Sequence, residues 1–81
     1  MRLLYTERFR KRYREAPETI RRACDKQLGF LLLNLQHPSL HAKKYDESNN
    51  IWQGRVTRDW RLYFKIEGDA YVLLTLRPHP K

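Results

Sequence analysis

The feature that most constrains the fold is a strict alternation of apolar and polar residues in the C-terminal half of the chain. Over positions 60–66, Trp60, Leu62, Phe64 and Ile66 alternate with Arg61, Tyr63 and Lys65. Successive side chains of a β-strand point to opposite faces, so the segment predicts a strand with one buried face. Positions 52–56 and 71–77 predict two further strands, and the three together predict an antiparallel sheet.

The N-terminal half of the chain has helical patterns instead. Residues 2–5 predict a short strand, and Thr6 is a suitable N-cap for a helix over residues 7–15. Apolar residues at three- and four-residue spacing predict a second helix from Pro17 to about residue 36. Residues 37–50 are polar and predict an irregular connection. The chain is therefore expected to be a single α+β domain, residues 1–81: an N-terminal strand, a helical hairpin, then a three-stranded antiparallel sheet.

The lengths of the two strand connections follow from which faces must be buried. A two-residue turn at Gly68-Asp69 would place Arg61 opposite Leu76, a cationic residue opposite an apolar one. A three-residue loop over 68–70 instead pairs Ile66 with Val72, Phe64 with Leu74 and Leu62 with Leu76. The same reasoning predicts a three-residue loop over 57–59 that pairs Val56 with Trp60.

This register aligns three arginines on the polar face of the sheet. Arg55 lies opposite Arg61, and Arg61 lies opposite Arg77; we call these three residues the arginine row. Like charges directly opposite one another destabilise a sheet. The row therefore indicates a binding site for phosphate, the alternative being solvated arginines that splay apart.

The charge of the chain favours an anionic partner. Lysine and arginine number 17 against 9 acidic residues, for a net charge of +8. Such a positive field attracts nucleic acid, an acidic membrane or an acidic protein, and the excess of arginine favours phosphate. The single cysteine, Cys24, excludes an internal disulfide and fits a reducing compartment. No signal peptide or membrane span is evident, so a cytoplasmic location is expected.

Other residues with chemical potential are less suggestive. His37 and His41 are four apart, but Pro38 opposes a helical pair and no acid or cysteine completes a ligand set, so neither a metal nor another cofactor is expected. Cys24 lies on the apolar helix stripe and is interpreted as a small buried hydrophobe. The lysines at 43 and 44 would either hold an RNA backbone or belong to a solvated loop.

Taken together, these features resemble the RelE/ParE superfamily of bacterial toxins from toxin–antitoxin systems. The resemblance covers nearly the whole chain: the order of elements, the segment 37–44, the run Arg-Val-Thr-Arg-Asp-Trp-Arg-Leu-Tyr-Phe at 55–64, and a histidine after the last strand. Its RelE branch implies a metal-independent, ribosome-dependent endoribonuclease that cleaves mRNA in the A site. In that reaction the ribose 2′-hydroxyl attacks the adjacent phosphate.

The resemblance also implies roles for individual residues. Arg61 matches the arginine that stabilises the phosphorane, and Arg55 lies where another functional basic residue or histidine occurs. His79 matches a histidine that would protonate the leaving 5′-oxygen, and Asp59 would act as base or orient His79. Pro80 replaces an aromatic residue of some relatives, and Tyr63 would supply the lost base stacking. The expected RNA-binding residues are Arg77, Lys43, Lys44, Tyr63 and Lys65.

Partners follow from the same resemblance. An active toxin implies the ribosome, mRNA and an acidic antitoxin that wraps the basic domain, with no membrane and a monomeric free toxin in a bacterial or archaeal cytoplasm. Two alternatives remain open at this point: a ParE-like, non-enzymatic toxin that binds DNA gyrase, and an inactive basic binding module.

Overall fold

A five-stranded sheet carries two helices on one of its faces. The computed structural model describes residues 1–79. The elements are β1 Arg2–Tyr5, α1 Glu7–Glu15, α2 Glu18–Leu33, a 3-10 turn Pro38–Leu40, β2 Lys43–Asp46, β3 Ile51–Thr57, β4 Trp60–Glu67 and β5 Ala70–Pro78. The strand order is β1-β5-β4-β3-β2, with β1 parallel to β5 and the other pairs antiparallel. The predicted α+β architecture is confirmed, with β2 as an additional strand.

The start of α1 is fixed by Thr6, as predicted. Its Oγ1 accepts a hydrogen bond from the Phe9 amide at 3.2 Å and donates to the Leu73 carbonyl at 2.8 Å. One hydroxyl thus caps the helix and ties it to β5. Phe9, the helix residue that this cap places toward the sheet, is 2% exposed.

The second helix ends at Leu33, three residues before the predicted end. Asn34 leaves the helical conformation with φ −167° and ψ 116°, and its side-chain oxygen accepts a hydrogen bond from the Gln36 amide at 2.9 Å. Asparagine readily forms such local bonds, which compete with continuation of a helix. Leu33 is consequently 79% exposed although it follows the apolar stripe.

The core lies between the helices and the sheet. Both helices and strands β3, β4 and β5 contribute to it: Phe9, Ile20, Cys24, Leu28, Leu31, Val56, Leu62, Phe64, Leu73 and Leu76. The interpretation of Cys24 as a buried hydrophobe is confirmed, since its side chain is fully buried. Burial raises the pKa of its thiol to about 12, so it is protonated at neutral pH.

The prediction that residues 37–50 are irregular is wrong for β2. Lys43 pairs with Gln53 and Lys44 with Trp52, and Tyr45 bulges out of the ladder before Asp46 pairs with Ile51. The strand has no apolar face of its own, so its four residues carry no burial signal. Two lysines on an edge strand are nonetheless typical, because they discourage pairing with other chains.

The predicted three-residue loops are also wrong. Thr57 pairs with Trp60 and Glu67 with Ala70, so both connections are two-residue turns. Gly68 takes the positive φ of +58° that the second turn requires. The odd residue predicted for each loop is instead a bulge inside a strand, at Val56 in β3 and at Leu74 in β5.

Because of the bulges, the observed strand register differs from the predicted register near the turns and agrees with it farther away. Ile66 pairs with Tyr71 and Phe64 with Leu73, instead of the predicted Val72 and Leu74. Beyond the Leu74 bulge the predicted pairing of Leu62 with Leu76 is confirmed.

Pro80, the predicted departure from the toxin resemblance, lies outside the described residues. Within residues 1–79, no helix is long and apolar enough to cross a membrane.

Candidate functional site

The arginine row is present as predicted. Arg55 pairs with Arg61, and Arg61 pairs with Arg77, across β3, β4 and β5. Leu62 and Phe64, on either side of Tyr63 in the chain, are fully buried against the helices. Because side chains alternate along a strand, the row lies on the opposite face, which we call the open face.

Two arginines of the row have nitrogen atoms that need an acceptor. Nε of Arg55 and Nε of Arg77 are buried, and neither has a hydrogen-bond partner among the described residues. A buried donor without a partner costs about 1–3 kcal/mol. Phosphate oxygens are strong acceptors for guanidinium groups, and a phosphate that displaced the groups covering these two atoms would satisfy both donors while neutralising the row.

Arg61 is held differently from its two neighbours. It is 8% exposed, and its Nη1 donates to the carbonyl oxygens of Thr57 at 2.7 Å, Arg58 at 3.1 Å and Trp60 at 3.0 Å. These contacts fix the guanidinium beneath the β3–β4 turn.

Arg77 belongs to a stack with two tyrosines. Its guanidinium carbon lies 4.6 Å from the centroid of the Tyr63 ring, and its Nη2 donates to the Tyr45 hydroxyl at 3.2 Å. The Tyr45 ring meets the Tyr63 ring edge-on, with centroids 4.8 Å apart. This stack holds the end of the Arg77 side chain above the sheet.

The stack changes the expectation for Tyr63. Tyr63 is 3% exposed beneath Arg77, so no base reaches its ring unless the arginine moves aside. Tyr45 is 54% exposed and is the aromatic residue of this stack that solvent reaches. Sequence reasoning missed Tyr45 because its position depends on β2, whose four residues carry no burial signal.

Asp59 and His79 come together at one end of the row. The backbone N–H of His79 donates to the Asp59 carbonyl at 2.6 Å, and the Asp59 N–H donates to Thr57 Oγ1 at 3.3 Å. Both side chains are exposed. The contact joins backbone groups, so it places the imidazole and carboxylate near the β3–β4 turn without fixing their side chains on each other.

The three predicted lysines divide between the two faces. Lys43 pairs with Gln53, and Gln53 pairs with Tyr63, so Lys43 lies on the open face with them. Lys44 pairs with Trp52, lies 5.2 Å from the centroid of that ring, and is 3.8 Å from Glu47 Oε2, so it lies away from the row. Lys65 alternates with the buried Phe64 and lies farther along the open face.

Helix α1 extends the positive surface beside the row. A cavity of about 490 Å³ is lined by Arg8, Lys11, Arg12, Glu15, Thr75 and Arg77. Arg77 is therefore the member of the row that lies beside the cationic side of α1. Helical periodicity alone does not say which strand the α1 arginines approach, so this proximity could not be predicted from the sequence.

The two histidines of the α2–β2 connection have local roles. The His37 ring stacks on Phe30 with centroids 3.9 Å apart, and its Nδ1 accepts a hydrogen bond from the Ser39 amide at 3.2 Å. His41 adopts a positive φ of 46° after the 3-10 turn. Within residues 1–79, no three metal-binding side chains are grouped together.

Comparison with known proteins bears on this architecture. No protein-family description matches the sequence, and no curated protein is significantly similar to it. Among solved structures, the YoeB/ParE toxin from Agrobacterium tumefaciens superposes with a TM-score of 0.79 at 12% identity, over 99% of this chain and 100% of that one. This chain has the fold of that toxin.

Two further structures agree. YafQ from E. coli strain BL21(DE3) superposes with a TM-score of 0.77 at 15% identity, over 94% of this chain and 90% of that one. A chain of the RelB-RelE antitoxin-toxin complex from Methanococcus jannaschii gives 0.66 at 19% identity, over 93% and 88%. These likenesses establish the RelE/ParE toxin fold for this chain.

Proposed function

We propose that the chain is the toxin of a toxin–antitoxin module and acts as a ribosome-dependent endoribonuclease that cleaves mRNA in the A site. The arginine row carries the proposal: three arginines share one face, and two of them have buried Nε donors without acceptors in residues 1–79. A phosphate group supplies both the acceptors and the negative charge that this arrangement lacks. The shared toxin fold supports the same assignment.

The proposed reaction needs no metal. The ribose 2′-oxygen forms a bond to the adjacent phosphorus while the bond from phosphorus to the 5′-oxygen breaks. The products are a 2′,3′-cyclic phosphate and a 5′-hydroxyl. A base takes the proton of the 2′-hydroxyl, an acid gives a proton to the 5′-oxygen, and fixed positive charge stabilises the phosphorane between them.

The residues of the row would share the phosphate. Arg55 and Arg77 would bring positive charge to the phosphate and would bond it through Nε once the groups that cover those atoms move aside. Arg61 would contribute its charge from a position set by the turn carbonyls. Contacts with the turn carbonyls and with the tyrosine stack set the positions of the Arg61 and Arg77 charges before the substrate binds. This is the electrostatic part of the mechanism, and the chain's geometry supports it most directly.

Proton transfer is assigned to the end of the row. His79 would act as the general acid, since an imidazole exchanges protons near neutral pH. Asp59, joined to His79 through the backbone, would act as the base or orient the imidazole. Lys43, Lys65 and the cationic side of α1 would contact the RNA backbone on either side of the cleaved phosphate.

An acidic antitoxin is the proposed partner of the free toxin. A net charge of +8 leaves an extended basic surface, and one structural neighbour was solved as an antitoxin-toxin complex. A negatively charged segment that covered the row and α1 would block access of RNA and neutralise the toxin. The cytoplasm, where ribosomes translate mRNA, is the proposed location.

The proposed activity is tested by inducing the protein briefly in cells and mapping the 5′ ends of mRNA. We expect new mRNA ends that carry a 5′-hydroxyl and fall in phase with codons. In a purified reaction, the same ends should be absent when ribosomes are withheld. Growth arrest with intact mRNA and gyrase-dependent DNA damage would instead favour the gyrase-binding alternative. Neither arrest nor cleavage would favour the inactive binding module.

The variants for this test follow from the packing of the row. Arg61→Ala removes contacts that hold the β3–β4 turn, so lost activity would not separate catalysis from folding. Arg55→Ala and Arg77→Ala remove positive charge with less structural support at stake. Arg22→Ala is the charge-matched control, because Arg22 is exposed on α2 and pairs with Glu18 of the same helix, 3.0 Å away.

A further inference from the structure

Tyr45 combines three properties that are rarely found together on a solvated strand. It is 54% exposed, it lies on the open face, and it touches the arginine row through Arg77. It is also the bulged residue of β2, which turns its ring out of the regular ladder. Exposed aromatic rings beside cations are typical of surfaces that bind single-stranded nucleic acid.

The orientation of the Tyr45 ring is fixed by two contacts. Its hydroxyl accepts from Arg77 Nη2 at 3.2 Å, and its ring meets the buried Tyr63 ring edge-on at 4.8 Å. Tyr63 is in turn covered by the Arg77 guanidinium. A ring held in this way presents an ordered surface, and a ligand that stacks on it loses less freedom than one that must order a mobile side chain.

We infer that Tyr45 is the stacking platform for one unpaired nucleobase of single-stranded RNA. This inference rests on the proposed function, because the same nucleotide strand would place a phosphate on Arg77 and the rest of the arginine row. An RNA strand supplies both a flat π-system and an anion, which matches an exposed ring beside the positively charged guanidinium donors of the row. An apolar protein segment on Tyr45 would leave those donors without acceptors.

The test uses the purified chain and a short single-stranded RNA with 2′-O-methyl groups throughout, so that it binds without being cleaved. The fluorescent base 2-aminopurine replaces each base in turn, and stacking quenches its emission. Quenching at one position is expected with the wild type and with Tyr45→Phe, which keeps the ring. Tyr45→Leu should abolish that quenching and weaken RNA binding about tenfold, as expected for one base–aromatic stack.

The two substitutions separate stacking from support of Arg77. Both remove the hydroxyl that accepts from Arg77, but only Tyr45→Leu removes the aromatic surface. Equal loss of quenching in both variants would overturn the inference, since the hydroxyl alone would then matter. An oligonucleotide with an abasic residue at the quenched position should bind wild type about tenfold more weakly and bind Tyr45→Leu unchanged.

Tyr5 provides a matched control on another edge of the sheet. It is 43% exposed, and the guanidinium carbon of Arg10 lies 5.6 Å from its ring centroid. Tyr5→Leu should leave both the quenching and the affinity unchanged; a loss equal to that of Tyr45→Leu would mean that stacking is not localised at Tyr45.

Failure of the base subsite can be distinguished from failure of the proposed nuclease function. Quenching that depends on Tyr45 with no mRNA cleavage in the translation reaction would support the base subsite and contradict the nuclease. Cleavage by an enzyme that shows no such quenching would support the nuclease and overturn the base subsite.

Discussion

Replacing the members of the arginine row one at a time should change stability very unequally. In Arg61→Ala the three turn carbonyls lose their shared donor, Nη1. Nη1 has two hydrogens, and a hydrogen bond from a charged group contributes about 1.5–3 kcal/mol, so at the lower value about 3 kcal/mol is lost. Relief of repulsion from Arg55 and Arg77 returns about 1 kcal/mol. The free energy of unfolding should therefore fall by about 2 kcal/mol.

The other two substitutions should cost less. Arg77→Ala loses one hydrogen bond to a neutral phenol and one cation–π contact, partly offset by reduced repulsion, for a net loss of about 1 kcal/mol. Arg55→Ala removes a buried Nε without a partner among residues 1–79, a gain of about 1–3 kcal/mol that loss of the packed side-chain stem offsets, so the net effect should lie within about 0.5 kcal/mol of zero. From most to least stable, the variants should therefore rank Arg55→Ala, Arg77→Ala, Arg61→Ala.

Urea denaturation followed by tryptophan fluorescence measures this order directly. The slope with urea should stay constant while the midpoint falls, because the surface exposed on unfolding hardly changes. For a domain of this size a loss of about 2 kcal/mol corresponds to a melting temperature lower by about 10 °C. Equal midpoints for Arg61→Ala and Arg55→Ala would refute the view that Arg61 supports the turn while Arg55 is left for a ligand.

Three further predictions concern the framework around the site. Thr6→Val removes the cap of α1 and the bond to Leu73, so the free energy of unfolding should fall by about 1–2 kcal/mol in a thermal melt; an unchanged melt would contradict the capping role. Gln27→Leu removes a buried amide that donates to the Arg55 carbonyl at 2.8 Å, and should destabilise by about 1–3 kcal/mol in urea, whereas stabilisation would show that the bond contributes nothing. The Cys24 thiol, with a pKa of about 12, should stay unmodified by a disulfide reagent at pH 8 until urea unfolds the protein, and rapid labelling of the native state would rule out its burial.

Much of the open face could be predicted because alternation along a strand is a local property. Arg61 follows Trp60 and precedes Leu62, so burying the apolar residues forces Arg61 to the other side. The pairing of Arg61 with Arg77 then required a total of three unpaired residues between β4 and β5, an offset that the turn and any bulge supply together. Whether the extra residue lies in the turn or in a bulge at Leu74 does not affect that offset, so the row was right although the loops were wrong.

The features that were missed depend on contacts between distant segments. The strand β2 has no buried face, and its existence depends on pairing with β3. Tyr45 acquires its position from that pairing and from Arg77, which is 32 residues away in sequence. The hydrogen bonds that fix Arg61 depend on the direction of the turn carbonyls, which a two-residue turn determines. The requirement to bury the apolar faces had instead predicted a three-residue loop.

In the proposed function, the arginine row binds the phosphate that is cleaved in ribosome-bound mRNA. The most direct measurement is the rate of mRNA cleavage in a purified translation reaction, with proteins whose folding has been checked by urea denaturation. Removing one preorganised donor to a transition-state anion commonly slows a reaction by about 10²–10³-fold. Arg77→Ala should therefore cleave at least about 100-fold more slowly than wild type, while Arg22→Ala cleaves at the wild-type rate. Equal rates for wild type and Arg77→Ala would contradict the claim.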